Sequence, residues 1–145
     1  MPPCRFPCAS ERPPRRTILL VEDEPFVREA TCRILQVAGF HVLPAADANE
    51  AMQVYEQQGR RIDLVMSDMV LPGRSGRQLG QDLRRFSAEI PVLLTSGYAE
   101  AGCEAASLEA GTYYLPKPYS RSALLAKIAQ ILDGTQLRNV ATQAG

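Results

Sequence analysis

The sequence predicts an α/β domain: a doubly wound, five-stranded parallel sheet in the order 2-1-3-4-5, with five helices. Three observations lead there. Short β-branched or aliphatic runs alternate with helix-period segments five times from Thr17 onward. Three of these runs are continuously apolar, as strands buried on both faces are, rather than alternating. Polar residues suited to phosphate or metal chemistry follow the first, third, fourth and fifth runs, whereas Pro44-Ala45-Ala46 follows the second. In open parallel sheets ligands sit beyond the carboxyl ends of the strands, so the second strand belongs at an outer position.

The elements follow in order. Ile18-Leu19-Leu20-Val21 is the first strand. Val27, Ala30, Thr31, Ile34, Leu35 and Ala38 then recur at offsets 0, 3, 4, 7, 8 and 11, one face of a helix that stops at Gly39. Val42-Leu43 is the second strand, and Asp47 with Glu50 forms a capping box before Ala48, Ala51, Met52 and Tyr55. Leu64-Val65-Met66 is the third strand; Ser75 with Gln78 repeats the box before Leu79, Leu83 and Phe86. Val92-Leu93-Leu94 leads to a fourth helix near Glu100–Glu109, whose Ala and Gly content predicts the most mobile element. Tyr113-Tyr114-Leu115 is the last strand, and Ser120 opens a helix with the stripe Leu124, Ile128, Ile131 and Leu132. Flanking this domain, 17–133, are a Pro/Arg-rich stretch over 1–16, read as a flexible arm or linker, and residues 134–145, which lack periodicity and are expected to fray as a flexible tail.

Composition narrows the function classes. At 46% hydrophobic and 22% charged the chain is an ordinary globular one, which excludes collagen-like, wholly disordered and disulfide-scaffold classes. Sixteen basic residues balance sixteen acidic ones, so no direct nucleic-acid partner is expected. The balance hides an asymmetry: residues 1–16 carry a net +3 and residues 17–133 a net −4. No apolar run approaches the roughly 20 residues that cross a bilayer, and residues 1–16 lack the apolar core of a secretory signal. No membrane insertion and a cytoplasmic location are the expectations. Cys4, Cys8, Cys32 and Cys103 show no paired metal-ligand spacing with His41, the one histidine, and fit free thiols in a reducing cytosol.

Function narrows to the strand ends: Glu22 and Asp23 after the first, Asp68 after the third, Thr95 and Ser96 after the fourth, Lys117 after the fifth. If the first and third strands are neighbours, three carboxylates converge. At about 4 Å and an effective dielectric near 20, each like-charged pair costs about 4 kcal/mol. Such a cluster holds a proton, recruits a cation or spreads apart. Oxygen donors without a nearby imidazole or thiolate favour a hard ion, and Mg²⁺ suits one or two carboxylates with waters and a phosphate. Lys117 adds a positive charge, and the Ser96 hydroxyl can donate to a phosphoryl oxygen. A carboxylate that attacks phosphorus yields an aspartyl phosphate. Duller roles exist for each residue. Asp23 and Glu24 could cap the helix that begins at Pro25, Asp68 could serve the Pro72-Gly73 turn, Ser96 could satisfy local backbone and Tyr114 could be plain core. Their joint recurrence at strand ends favours function. Gly73-Arg74-Ser75-Gly76 lacks the spacing of a phosphate loop or a nucleophile elbow.

Four stretches carry a resemblance: Leu20-Val21-Glu22-Asp23-Glu24, the run from Leu64 through Asp68 to Gly73, the run from Pro91 through Ser96 to Tyr98, and Tyr114-Leu115-Pro116-Lys117-Pro118-Tyr119. Together they resemble the CheY-like receiver domain of two-component response regulators, within the flavodoxin-like architecture, over about residues 17–133. The resemblance implies a phosphoacceptor at Asp68. It implies Mg²⁺ bound directly by Asp23, Asp68 and the main-chain carbonyl of Val70, with Glu22 acting through a metal-bound water. It implies Ser96 as switch hydroxyl, Tyr114 as switch aromatic, Lys117 as the phosphate-pairing cation and a cis Lys117-Pro118 bond. The partner would be a histidine kinase or histidine phosphotransfer protein, and the chain would not be an enzyme beyond self-directed phosphotransfer and autodephosphorylation. The Thr95–Glu100 and Pro116–Tyr119 stretches and the Pro/Arg arm look like a hybrid sensor kinase receiver; Met1 favours a single-domain regulator. Val70 and Tyr98, two positions beyond Asp68 and Ser96, offer no acid or amide to orient a hydrolytic water, so slow self-dephosphorylation is expected. A haloacid-dehalogenase-type phosphatase would need a second Asp two residues after a nucleophile on the first strand; here that position is Val70, on the third. A phosphorylation-independent docking domain of the same fold would not need the acidic set.

Overall fold

The computed structural model describes residues 16–58, 62–87, 89–96 and 111–144. Within them, β1 (Thr17–Val21), α1 (Pro25–Val37), β2 (His41–Ala45), α2 (Ala48–Gln58), β3 (Leu64–Asp68), α3 (Gly76–Arg84), β4 (Val92–Ser96), β5 (Thr112–Pro116) and α4 (Arg121–Ala144) follow in that order. The strands form one sheet in the order β2-β1-β3-β4-β5, every pair parallel, as the apolar pattern predicts. The helix expected near Glu100–Glu109, Tyr98 and most of the Pro/Arg arm lie outside the described residues.

Strand side chains alternate between two cores. Leu19, Val21, Val65 and Leu94 join Ala51, Tyr55, Leu79 and Leu83 of α2 and α3 on one face. Ile18, Leu20, Leu64, Met66 and Leu93 join Leu35 of α1 and Leu124, Ile128, Ile131 and Leu132 of α4 on the other. Every residue of β1 and β4 is therefore buried, while β2, at an edge, leaves His41 and Pro44 exposed. Filling both faces accounts for the continuous apolar runs of the inner strands.

Helix starts match their local chemistry. Glu24 caps α1 through Phe26 N–H, with Pro25 at its first position. In the reciprocal box of α3, Ser75 accepts from Gln78 N–H and Gln78 from Ser75 N–H. Ser120 accepts from Ala123 N–H at the start of α4. Gly39, at φ 106°, ends α1 in a conformation that costs other residues strain.

Three details differ from the sequence pattern. The helix α3 ends at Arg84, and Phe86 lies in the following turn, 64% exposed, its ring 6.1 Å from that of Tyr55. Ala30 and Ala38 are exposed, because α1 buries only the narrow line of Thr31 and Leu35, with Cys32 and Ile34 partly covered. The helix α4 runs past residue 133 to Ala144. Helix propagation adds one hydrogen bond per residue and needs no apolar periodicity. Among the described residues no helix is long and apolar enough to cross a membrane.

Candidate functional site: an acidic cluster under a lysine

The sheet register brings the strand ends level. Val21 pairs with Ser67, Asp68 with Thr95, and Ser96 with Pro116. Main-chain bonds continue each ladder one residue further: Glu22 N–H to Ala45 C=O at 3.0 Å, Met69 N–H to Thr95 C=O at 2.7 Å, and Lys117 N–H to Ser96 C=O at 2.8 Å. Residues nearly a hundred positions apart thereby reach one spot.

Glu22, Asp23 and Asp68 each offer a carboxylate oxygen, and these atoms all lie within 4.8 Å of one another. Lys117 closes the cluster: its Nζ donates to Glu22 Oε1 at 3.3 Å and to Asp68 Oδ2 at 3.2 Å. The three acids differ in setting. Glu22 is 5% exposed, Asp68 is half-buried and Asp23 is exposed. Burial pushes the Glu22 carboxyl above its ordinary value; Lys117 opposes the rise, Asp68 adds to it, and the Glu24 N–H opposes it again. Burial alone would lower the Lys117 ammonium, but Asp68 and Glu22 together outweigh it and hold the group above its ordinary value, firmly charged.

The Ser96 side chain is buried, and its Oγ lies 2.8 Å from Tyr114 Oη, a hydroxyl pair in which either partner can donate. Tyr114 packs partly against the core shared with α2 and α3. The Lys117-Pro118 bond is cis, as the resemblance implies. Val70 follows Asp68 by two residues in the β3–α3 loop, with its side chain 56% exposed.

Several contributors were not singled out in the sequence. Arg28 Nη1 donates to the main-chain carbonyl of Glu22 at 2.8 Å. Tyr119, next to the cis bond, packs into the second core and hydrogen-bonds the buried Thr31 side chain. The α-carbon of Gly76 passes so close to the Asp68 carbonyl that a β-carbon would collide with it and with Ser67 Oγ. Its N–H donates to Met69 C=O at 2.8 Å. Only a glycine's proximity to an acidic strand end could have flagged it, because close backbone approach leaves no mark in apolar periodicity.

The donor set is oxygen alone, and Lys117 supplies one ammonium against three carboxylates. These residues fit a hard divalent cation.

Comparison with known proteins agrees with this geometry. Residues 18–129 match the response regulator receiver domain family. The chain is 38% identical over 118 residues to the sensor kinase CckA of Brucella abortus (strain 2308), covering 81% of this chain and 12% of the kinase. It is 33% identical over 123 residues to the phosphate regulon transcriptional regulatory protein PhoB of Pseudomonas aeruginosa, covering 83% of this chain and 53% of that protein. Among solved structures, the receiver domain of the hybrid histidine kinase CckA superposes with a TM-score of 0.68 at 34% identity, covering 80% of this chain and 98% of that one. A CheY-like receiver from Methanospirillum hungatei JF-1 does so with a TM-score of 0.76 at 28% identity, covering 86% and 98%. The chain thus spans about half of the regulator and a small part of the kinase. With its sheet order, acidic strand ends and lysine in place, it belongs to the receiver domain family of two-component response regulators, a family of phosphoacceptors rather than of classical enzymes.

Proposed function

We propose that Asp68 accepts the phosphoryl group, with Glu22, Asp23 and Lys117 as its electrostatic frame and Ser96 and Tyr114 as the switch that reads the result. The observation that carries this is the Lys117 ammonium lodged between Glu22 and Asp68, at 3.3 and 3.2 Å. An ammonium held there already faces the oxygen on which negative charge will grow.

The donor is a phosphohistidine on a histidine kinase or histidine phosphotransfer protein. An Asp68 oxygen attacks phosphorus as the P–N bond breaks, and the electron pair leaves with the imidazole, which takes up a proton. Lys117 stays paired to the product side of the cluster and offsets the added charge. Mg²⁺, held by Asp23, Asp68 and the Val70 carbonyl with Glu22 behind a water, would supply charge neutralisation at the transferring oxygens. Ser96 then turns from Tyr114 to donate to a phosphoryl oxygen. Losing that partner shifts Tyr114 and so alters the face built from β5 and α4. A change of this kind needs only a few kcal/mol of differential stability between two states.

The proposed unit is residues 17–133, with 1–16 as linker and the residues past 133 as tail, working in the cytoplasm without contacting nucleic acid. Identity to the CckA kinase supports a hybrid-kinase-like receiver, and identity to PhoB supports a regulator. Removal of the phosphoryl group is slow, since the exposed Val70 side chain cannot orient a water; Val70→Asn is expected to shorten the phosphoryl half-life severalfold, and an unchanged half-life counts against this part. The main test is Asp68→Asn. It is expected to abolish Mg²⁺-dependent labelling by acetyl phosphate, and retained labelling in the variant refutes the assignment.

A further inference from the structure

Asp23 poses a problem of placement. It is the exposed member of the cluster, so packing does not fix its side chain, yet its carboxylate must meet those of the buried Glu22 and the half-buried Asp68. What fixes it is the backbone on either side. The peptide before Asp23 is held through the Glu22 carbonyl, which accepts from Arg28 Nη1 at 2.8 Å. The peptide after it is held through the Glu24 N–H, which donates to Glu22 Oε2 at 3.2 Å. With both flanking peptide planes bonded, the backbone dihedrals of Asp23 are set and so is the direction of its Cα–Cβ bond.

The two anchors differ in origin. The second comes from Glu22 itself. Glu22 is itself anchored: its N–H is bonded to Ala45, its other carboxylate oxygen to Lys117, and the residue is 5% exposed. The first comes from outside the loop, from the first turns of α1, a helix capped by Glu24 and packed through Thr31 and Leu35. A guanidinium donating to a carbonyl is a charge-assisted bond with directional demand. We propose that Arg28 is the positioning residue of the acidic cluster: by gripping the Glu22 carbonyl it orients Asp23 toward Asp68 and so builds the cation site. The inference rests on the proposed Mg²⁺ site but adds a residue to it.

The role has an opposite sign to the charge effect of the same side chain. A cation beside a Mg²⁺ site repels the metal, so by charge alone the loss of Arg28 tightens binding. By positioning, the loss loosens it, because Asp23 is freed to wander.

The test is calorimetric titration of Mg²⁺ into wild type, Arg28→Met and Arg28→Lys, paired with the Mg²⁺ dependence of labelling by acetyl phosphate. Wild type that binds no Mg²⁺ defeats the proposed metal site itself, and this outcome is separate from the variants. Given wild-type binding, Arg28→Met is expected to weaken Mg²⁺ five- to tenfold. Its half-saturating Mg²⁺ for labelling should rise in step, while the rate at saturating Mg²⁺ stays within twofold. Arg28→Lys, which keeps a donor and the charge, is expected to recover most of the affinity. Tighter or unchanged Mg²⁺ binding in Arg28→Met overturns the inference, as does a loss of labelling rate that saturating Mg²⁺ cannot restore. If Arg28→Met does not fold, Arg28→Lys and Arg28→Gln decide: the longer donor should bind more tightly than the shorter one, and equal affinities overturn the inference.

Discussion

Glu22 shows how one residue couples the site to stability. Its carboxyl holds a proton more tightly in the folded chain than at its ordinary value of 4.5, chiefly through burial. The sign follows from linkage: a raised folded value gives stability that is complete below 4.5 and is lost as pH rises through the folded value. Above the folded value the domain carries an ionised, buried Glu22 at a cost, which a cation at the proposed site would offset. The rise in melting temperature caused by Mg²⁺ should shrink as the pH falls from neutral toward the ordinary carboxyl value of 4.5, because the proton competes with the metal. Thermal melts with and without Mg²⁺ across that range check this; an increment that grows on acidification contradicts it. Lys117 behaves differently, since its raised value keeps it charged throughout.

At the scale of elements, the β3–α3 junction decides whether Asp68 stands where the cluster needs it. The first residue of α3, Gly76, is packed directly on the Asp68 carbonyl and Ser67 Oγ, with backbone as the main obstacle to any added carbon. Gly76→Ala is expected to displace the strand end, costing about 1–3 kcal/mol of stability as overpacked sites do, and to lower labelling by acetyl phosphate as well. Urea unfolding and a labelling time course measure the two effects; an unperturbed midpoint excludes the contact as a constraint. This junction also marks where sequence reasoning stops. Ser75 and Gln78 announce the helix start, because capping is chemistry between near neighbours in the chain. The collision beneath Gly76 is not announced, because it depends on where β3 lies. The end of α3 is hidden for a similar reason: Phe86 continues the apolar spacing, yet the backbone has already turned and leaves it beside Tyr55. Ala30 and Ala38 fit the α1 stripe by spacing alone, but alanine is too small to show whether a neighbour covers it.

Over the whole molecule, the parallel sheet was legible because its inner strands, buried on both faces, read as unbroken apolar runs, and the order because the second strand end alone lacks polar residues. The polar residues that interrupt this rule fall at their carboxyl ends. The cluster of Glu22, Asp23, Asp68 and Lys117 was legible for the same reason, each member standing at or just beyond a strand end. Arg28 was not, since an arginine on a helix surface reads as solvated until its carbonyl partner is seen. The fold thus acts as a jig: strand ends and one helix hold three carboxylates and an ammonium together, and on the proposed reading this makes Asp68 ready for phosphorus. The most direct check is to incubate the domain with acetyl phosphate and Mg²⁺, then identify the residue that carries the phosphoryl group by reduction of the acyl phosphate and peptide mass mapping. One phosphoryl group on Asp68, dependent on Mg²⁺, is the expected result; modification of a different residue, or none under conditions where the cation is bound, would contradict the account.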